Sequence, residues 1–375
     1  MNRKIGKWRL FPVMRSMRIV GDDASGGALV TEPEQEEIDF FDEEEKKPSK
    51  NPLDVGLRYL TPEEYPVWDT LVDISPQGSI FCKSWWLKAV DARPRVLGYF
   101  EYGHLIAGIP LHFERRMGLK ICCMPKLIQT WGVIMEPLSG KIETMASREV
   151  QILEVFAEHL AQESIFVQSF HPSSQNWLPF YWKGFTQTSH YTYVLEELSS
   201  LDNVWEGLAK KQRAKIRKAQ KHGLCVKPCS PETVFKASMK TFLRQGKRTP
   251  YSYEYLRSLC NAAQENNAGT CFAVEDREGN VHTAGFFIWD SKRGYFLAGG
   301  HDPLVKDCGG VSLLIWRLIE FAATRTAIFD FEGSMKQSIE RIFRSFGAKR
   351  IAYHRIMKLH PWLRACLCLT GRQQF

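Results

Sequence analysis

The sequence predicts an α/β fold made of two structurally similar units that follow an N-terminal tail. The 375 residues correspond to about two domains of ordinary size. Apolar residues make up 44% and charged residues 25% of the chain, which is the composition of a globular protein. From Leu57 onward, helix-like and strand-like stretches alternate, and the same order of elements occurs twice.

The first fifty residues differ in composition from the rest. Residues 1–20 contain six Lys or Arg and no acid, whereas residues 21–50 contain eleven acids and three lysines. The acidic stretch 32–45 is poor in residues that build a core, so it cannot bury enough apolar surface to fold by itself. Residues 1–50 are therefore predicted to be a disordered tail, basic and then acidic. The alternative is a segment that folds back onto the basic body.

Charge and cysteine content limit the function classes. The net charge is +8 although the first fifty residues are acidic overall. The body is therefore basic and favours an anionic partner: phosphate, a nucleotide, nucleic acid or a membrane surface. No run of about 18 apolar residues or signal peptide is evident, which predicts that no segment crosses a membrane. The ten cysteines include no C-x-x-C pair and the histidines have no metal spacing, so we expect reduced thiols, no metal and a cytoplasmic location.

The first unit is predicted to contain two helices, a strand hairpin, a long helix and two further strands. Thr61 is the expected N-cap of the first helix, because Pro62 suits the first helical position and Glu64 completes a capping box. The predicted elements are helices over 61–72, 84–90 and 143–162 and strands over 95–102, 105–113, 165–170 and 187–196.

The second unit repeats this order without a plain sequence repeat. Its predicted elements are helices over 231–244, 252–264, 310–324 and 335–346 and strands over 270–276, 281–290, 294–298, 328–332 and 350–356. A boundary near residue 198 then divides the body into domains over 51–198 and 199–357. Residues 358–375 form a short C-terminal tail whose apolar part is expected to dock on the body, with contact to a membrane surface as the alternative.

The stretch 327–347 carries the clearest indication of chemistry. On a strand over 328–332, Asp330 and Glu332 share one face and lie about 7 Å apart along the chain. Ser334 is expected to cap the following helix rather than to act as a nucleophile. Two acids at the carboxyl end of a strand are typical of ligand sites in α/β folds, and a buried ion pair is the structural alternative for each of them.

A second candidate is the basic run over 204–223, which is predicted to be helical. Between Lys210 and Lys221 there are seven Lys or Arg and no acid. Arg213 and Arg217 fall on one stripe of this helix, and their planar guanidinium groups suit phosphate. A solvated basic face is the alternative, and it is favoured for most of the lysines.

A third candidate is the glycine-containing start of the helix predicted over 310–324. Lys306, Gly309 and Gly310 stand where backbone N–H groups of a helix N-terminus can receive a pyrophosphate. The simplest interpretation of His301 and Asp302, just upstream, is that they are loop residues.

Several segments together resemble the FemAB-like branch of the GNAT acyltransferase superfamily. In the second half these are KKQRAKIRKAQKHG (210–223), TFLRQGKRTPYS (241–252) and the stretch 329–354. In the first half they are SIFCKSWWLKAV (79–90), HLIAGIPLHF (104–113) and the stretch 182–198. The resemblance covers roughly residues 57–356. It implies two tandem GNAT-like domains, each a mixed, largely antiparallel sheet flanked by helices, with a cleft between them.

The resemblance also implies an N-acyltransferase that moves an acyl group from acyl-CoA to the amine of a small acceptor, either nucleotide-linked or envelope-linked. Glu332 or Asp330 would accept the amine proton. The residues expected to contact the substrate are Arg213, Arg217 and Arg344, which would hold anionic groups, and Trp85 and Tyr251, which would form cleft walls if they are not simply core. The residues that match part of the superfamily's CoA-pyrophosphate loop are Lys306, Gly309 and Gly310.

Two further functions stay open. One is aminoacyl transfer from charged tRNA to a peptidoglycan precursor, which the best-known members of the branch perform. In this chain Arg344 stands where those members look to have a lysine. The other is a non-catalytic binding module whose basic helix holds RNA or anionic lipid. No DNA partner is expected, and peripheral contact with a membrane is compatible with the C-terminal tail.

Overall fold

A continuous path of hydrogen-bonded strands runs through the protein. The structure, a computed structural model, describes residues 55–116, 118–305, 308–333 and 335–360. The predictions for the tail over 1–50, for Lys306 and Ser334, and for the apolar residues 361–369 lie outside the described residues. Within the described ranges the sheet order is β1-β2-β3-β4-β6-β13-β7-β12-β11-β10-β9-β8, and β5 pairs with β3. The strands are β1 Gly56–Tyr59, β2 Arg95–Glu101, β3 His104–Arg116, β4 Leu119–Cys123, β5 Ile134–Met135, β6 Ile165–Ser169, β7 Thr186–Leu195, β8 Cys225–Pro228, β9 Gly269–Glu275, β10 Val281–Trp289, β11 Arg293–His301, β12 Ile328–Asp330 and β13 Lys349–Leu359.

Helices connect the strands and cover much of both faces of the sheet. They are α1 Tyr65–Ile74, α2 Ser84–Val90, α3 Ile142–Leu160, α4 Leu178–Trp182, α5 Leu201–Gly207, α6 Lys210–Lys221, α7 Pro231–Leu243, α8 Tyr253–Glu265, α9 Gly310–Ala322 and α10 Gln337–Ser345. Two of them show why they begin where they do. The Ser230 and Ser252 hydroxyls accept hydrogen bonds from the Thr233 and Tyr255 N–H groups at the starts of α7 and α8.

Three apolar clusters define the layers. On the front face, α1, α2, α7 and α8 pack on the sheet in a cluster that includes Trp68, Trp86, Leu256 and Phe286. On the back face, α3 packs through Phe156 in a second cluster. The third cluster joins α5, α6, α9 and α10 to the back of the later strands. Helix α6 is amphipathic because only Gln212, Ile216 and Ala219 are buried, at spacings of four and three residues.

The final strand ties the two halves of the sequence together. Strand β13 lies between β6 and β7 and is antiparallel to both, and β7 also pairs with β12. Strand β7, which the sequence places in the first half, is therefore flanked by two strands of the second half. The division into domains over 51–198 and 199–357 remains a prediction, and the sheet continues across it.

Most predicted elements are present, and two differ in an informative way. The strand predicted over 328–332 ends at Asp330, because Glu332 has a φ of 54° and turns the chain out of the sheet. The basic run predicted as one helix over 204–223 is divided into α5 and α6, because the chain is extended at Leu208. The basic residues over 210–221 therefore lie on a separate helix, α6.

Candidate active site

Asp330 lies at the centre of a buried polar network at the carboxyl end of β12. Its side chain is fully buried and forms an ion pair of 2.9 Å with Arg293. The other carboxylate oxygen accepts hydrogen bonds from the Thr192 hydroxyl and, at 2.7 Å, from the Glu332 N–H. The Thr192 oxygen in turn accepts the Gly333 N–H at 3.0 Å. Asp330 and Thr192 therefore hold the backbone of residues 332 and 333.

Glu332 adopts a left-handed backbone conformation that is costly for a residue with a side chain. Such strain costs about 1–3 kcal/mol and persists only where the surroundings fix it, as they often do at functional sites. The network around Asp330 supplies that constraint. Gly333 makes the tight turn possible, since a Cβ at this position would lie 1.9 Å from the Tyr191 carbonyl oxygen.

Burial, and then the neighbouring Asp330 carboxylate, raise the pKa of Glu332 well above its usual range. Two tyrosines approach this carboxylate from different elements. Burial raises the pKa of Tyr251, just before α8, and the Glu332 charge adds to the effect. Burial likewise raises the pKa of Tyr353 on β13, with contributions from Glu332 and Asp330. A carboxylate with a raised pKa, in a turn fixed by hydrogen bonds, has the properties of a general base.

The two strands beside this turn diverge. Strands β11 and β12 are parallel, but their pairing covers only residues 293–295 of β11. Leu297 forms a one-residue bulge, because Phe296 pairs with Phe287 and Ala298 pairs with Phe286. Among the described strands, none pairs with residues 296–301 of β11 on the β12 side. The backbone edge of β11 over residues 296–300 therefore has no described strand as a partner there, whereas the His301 N–H and carbonyl are hydrogen-bonded to the Thr241 hydroxyl.

A cleft of about 520 Å³ lies where β11 ends and α9 begins. Gly309 and Gly310 line it, as do Gln212 and Lys215 of α6, Arg244 after α7 and His301 at the end of β11. Because the first N–H groups of a helix have no partner within the helix, the start of α9 favours an anion. Arg244 donates a hydrogen bond of 2.8 Å to the His301 ring, which places a guanidinium group at the same cleft.

Gln212 gives an independent indication that a ligand binds here. The residue is 4% exposed, and its carbonyl oxygen accepts a hydrogen bond from the Ser345 hydroxyl. Its amide nitrogen is buried and has no hydrogen-bond partner in the part of the chain that the structure describes. A buried amide donor without a partner costs free energy unless a ligand or water supplies an acceptor.

The structure brings only some of the predicted site residues together. Gly309 and Gly310 line the cleft, and the Glu332 charge contributes to the raised pKa of Tyr251. Trp85 is partly buried beside the front cluster, with its ring 5.7 Å from that of Trp86. Asp330 is occupied by Arg293 and by the backbone of the following turn.

The three predicted arginines do not line the cleft. Arg213 donates hydrogen bonds to the Trp205 and Glu206 carbonyl oxygens at the end of α5, which joins the two helices. Arg217 lies over the Trp205 ring at 5.5 Å. Arg344 is exposed and pairs with Glu340 at 2.9 Å. The α6 residues that face the cleft are Gln212 and Lys215, which lie on another side of the helix.

The sequence analysis did not select Lys215, Gln212 or Arg244, which line the cleft in the structure. Lys215 lies in the basic run and Arg244 in a segment quoted for the family resemblance, so the sequence analysis had singled out both stretches. The choice among their side chains depends on how α6 is rotated against α9. The buried Gln at a spacing shared with Ile216 was the available signal, since a polar residue on an apolar seam needs a partner.

Gly309 permits a close contact between α6 and α9, which makes a stability prediction possible. Its φ is 89°, and a Cβ would lie 2.3 Å from the Lys215 carbonyl oxygen. We expect Gly309→Ala to lower the free energy of unfolding by about 1–3 kcal/mol in urea titrations. Gly279→Ala is a matched control, because its φ is 85° and nothing lies within 4 Å of the added Cβ. An equal loss in both variants would show that the contact itself contributes nothing.

The geometry described above can be compared with known proteins. Residues 209–335 match the family described as "Acetyltransferase (GNAT) domain". This range contains α6, the strands β8–β12, the cleft at α9 and Glu332. The matched range is 127 of the 375 residues and is similar to a GNAT acetyltransferase domain. A comparison with curated proteins gave no significant match.

The fold is similar to that of FemX, of a tandem GNAT protein and of a lysylphosphatidylglycerol synthetase domain. A crystal structure of FemX superimposes with a TM-score of 0.58 at 12% identity and covers 79% of this chain and 96% of FemX. A tandem GNAT protein from the clavulanic acid biosynthesis pathway gives 0.51 at 9% identity, covering 80% and 97%. The C-terminal domain of a putative lysylphosphatidylglycerol synthetase from Agrobacterium fabrum gives 0.50 at 12% identity, covering 83% and 96%. The predicted α/β fold is confirmed.

Two observations concern other classes of site. No helix within the described ranges is long and apolar enough to cross a membrane. In the same ranges, no three or more His, Cys, Asp or Glu side chains are grouped so that they could hold a metal ion.

Proposed function

We propose that this protein is a GNAT acyltransferase that moves an acyl group from acyl-CoA to the amine of an acceptor. The observation that carries the proposal is the pair of features at the β11–β12 opening. One side has a cleft with basic residues and a helix N-terminus, and the other has a constrained carboxylate of raised pKa. A donor that carries a pyrophosphate and a thioester requires an anion site and a reaction centre of this kind.

The cleft at the start of α9 would hold the pyrophosphate. Gly309 and Gly310 allow close approach to the backbone, and the α9 N-terminus favours negative charge. Lys215 and Arg244 would add positive charge, and the Gln212 amide would donate the hydrogen bond that it lacks within the described protein. These residues replace Arg213, Arg217 and Arg344 as the phosphate contacts that we propose.

The reaction centre would lie along the open edge of β11. Backbone N–H groups near the bulge at Leu297 would polarise the thioester carbonyl as negative charge develops on its oxygen. The acceptor nitrogen attacks the carbonyl carbon, the carbon–sulfur bond breaks and CoA leaves as a thiolate. Glu332 accepts the proton lost by the amine, and that proton finally reaches the thiolate, so the products are an amide and the CoA thiol. Tyr251 and Trp85 would form walls of the acceptor side.

Asp330 has a different part in this proposal from that of a base. Both of its carboxylate oxygens already have partners within the protein, namely Arg293, the Thr192 hydroxyl and the Glu332 N–H. We propose that it positions Glu332 and raises the pKa of that residue.

Calorimetric titration of the full chain with acetyl-CoA and longer acyl-CoAs tests the donor. We expect saturable one-site binding, weakened about 10-fold by Lys215→Ala and by Arg244→Ala, since a hydrogen bond to a charged group contributes about 1.5–3 kcal/mol.

Lys221→Ala is the matched control for this titration. It removes the same charge from the same helix at an exposed position that does not line the cleft. Equal weakening in all three variants would indicate nonspecific attraction, and no binding at millimolar acyl-CoA would exclude this donor.

A second donor, charged tRNA, is favoured by one observation. Helix α6 presents Lys210, Lys211, Arg217 and Lys221 to solvent on a face that the cleft does not use. An exposed basic stripe suits the phosphate backbone of RNA, and such binding weakens steeply with salt. If acyl-CoA fails to bind, we expect charged tRNA to bind with a salt-dependent affinity that the double variant Lys210→Ala/Lys211→Ala reduces.

A further inference from the structure

Part of the front face of the sheet has no helix over it. Strands β6, β13 and β7 are adjacent, and their back face carries the buried Phe166 and Ile356 against the α3 cluster. Successive side chains alternate between faces, so Ser169, Tyr353 and Arg355 point to the front. No residue of these three strands belongs to the front cluster formed by α1, α2, α7 and α8. This strip, the open face, is most accessible around His190, Thr188 and Arg355, whereas Tyr353 is 8% exposed and Gln129 covers Thr192 at one end.

The open face begins at the proposed base. The turn that carries Glu332 rests on Thr192 of β7 through the Gly333 N–H. Two residues before Thr192 on β7, His190 pairs with Tyr353 of β13, and the two rings lie 5.7 Å apart. Two residues further from Thr192, Thr188 pairs with Arg355, which also pairs with Ser169 of β6. Thr192 and Thr188 are separated by roughly 13 Å of strand, and Tyr353 occupies the middle of that distance.

The guanidinium group of Arg355 has no anionic partner among the described residues. It is partly buried, and no ion pair, hydrogen bond or ring contact with another described residue involves its guanidinium group. Its charge acts on its neighbours, since it adds to the effect of burial in lowering the pKa of His190. Most partly buried arginines in the described ranges have a partner, such as Arg58 with Glu64 and Arg293 with Asp330. A partly desolvated guanidinium without a partner is well suited to a carboxylate or phosphate from outside the chain.

We propose that the open face binds the acceptor, and that Arg355 selects acceptors that carry an anionic group, a carboxylate or a phosphate, at a distance from the reacting amine. The inference rests on the proposed function, because it places the amine at Glu332. The acceptor would lie across Tyr353 and His190, with its amine at one end of the strip and its anion at the other. A neutral amine of equal length would lose the contact with Arg355.

Two matched pairs of probes test this selection with the full chain and acetyl-CoA, by release of the CoA thiol. One pair is ε-aminocaproate and its amide, and the other is aminopropyl phosphate and aminopropanol. We expect kcat/KM to be about 10-fold higher for the anionic member of each pair. Arg355→Gln should remove this preference by raising KM with little change in kcat, and Arg355→Lys should restore part of it.

Arg350→Gln provides the matched control. Arg350 lies on the same strand but points to the opposite face, over the Tyr191 ring at 5.0 Å. The proposal predicts that this variant keeps the wild-type preference. The proposal would be overturned if the wild type showed no preference for the anionic probes, or if Arg355→Gln kept that preference.

Binding measurements distinguish failure of the donor proposal from failure of the acceptor proposal. The acyl-CoA titration described above is expected to give the same affinity for Arg355→Gln as for the wild type, so failure of the donor proposal is visible there. If no probe turns over, direct titration of ε-aminocaproate and aminopropyl phosphate decides the matter. Binding of these anionic probes that Arg355→Gln abolishes supports the selection, and no binding to the wild type overturns it.

Discussion

Replacement of Glu332 by Gln is expected to lower kcat about 10²–10⁴-fold, the usual contribution of a positioned general base. The amide has nearly the same shape, so the turn and the binding of acyl-CoA should persist. Affinity for the donor in a calorimetric titration should therefore match that of the wild type, while the rate of thiol release falls. Turnover at the wild-type rate would show that Glu332 is not the base.

The same substitution should stabilise the fold, and the effect should depend on pH. The pKa of Glu332 is raised in the folded protein, so folding favours the protonated carboxyl. That contribution to stability is present at low pH and is lost as the pH rises through the raised pKa of the folded state. Gln cannot ionise and keeps a neutral side chain throughout. We therefore expect the gain in Tm to be near zero in acid and to grow toward and above neutral pH.

Thermal unfolding of both proteins across this pH range measures the effect. Glu320→Gln is a suitable control, because Glu320 is paired with Arg317 at an exposed site and should change Tm little at any pH. A gain for Glu332→Gln that is constant with pH would mean that relief of ionisation is not its cause. Higher stability with lower activity is the relation expected where a strained, charged residue serves catalysis.

Local sequence signals predicted much of the fold. Ser230 and Ser252 cap α7 and α8 in the structure, and both helices were predicted within one residue of their observed ends. The hairpin of β2 and β3 turns at Tyr102 and Gly103, which have positive φ. Such features depend on a few neighbouring residues, and short-range physical chemistry is sufficient to predict them.

The site could be predicted only in part, because its geometry depends on long-range contacts. The acids of 328–332 were identified, but alternation along a strand placed both on one face as equivalent candidates. The contact of Asp330 with Arg293, 37 residues earlier, makes them different: one is neutralised and the other is held in a turn. The β11–β12 opening and the facing of Lys215 likewise follow from packing that no local pattern encodes.

Asp330→Asn is expected to be the most destabilising of the substitutions considered. It leaves Arg293 buried without its ion-pair partner, which costs about 3–5 kcal/mol in known cases. It also removes a negative charge that raises the pKa of Glu332, so the acid limb of the pH–rate profile should move to lower pH in whatever protein remains folded. Urea unfolding measures the first effect, and kcat/KM against pH measures the second. Arg317→Gln, which breaks an exposed pair, should cost less than about 1 kcal/mol and leave the profile unchanged.

Thr192→Val separates the positioning of Glu332 from the stability of the ion pair. The substitution leaves Asp330 and Arg293 in place but removes the hydroxyl that donates to Asp330 and accepts the Gly333 N–H. We expect a loss of about 1–3 kcal/mol for the groups left without partners. If the network holds the left-handed turn, kcat should fall while the affinity for acyl-CoA is unchanged, because the cleft that we propose for the donor lies at α9. A stable Thr192→Val protein with wild-type kcat would show that the turn holds Glu332 without the network, and Asp330 would then stabilise the fold alone.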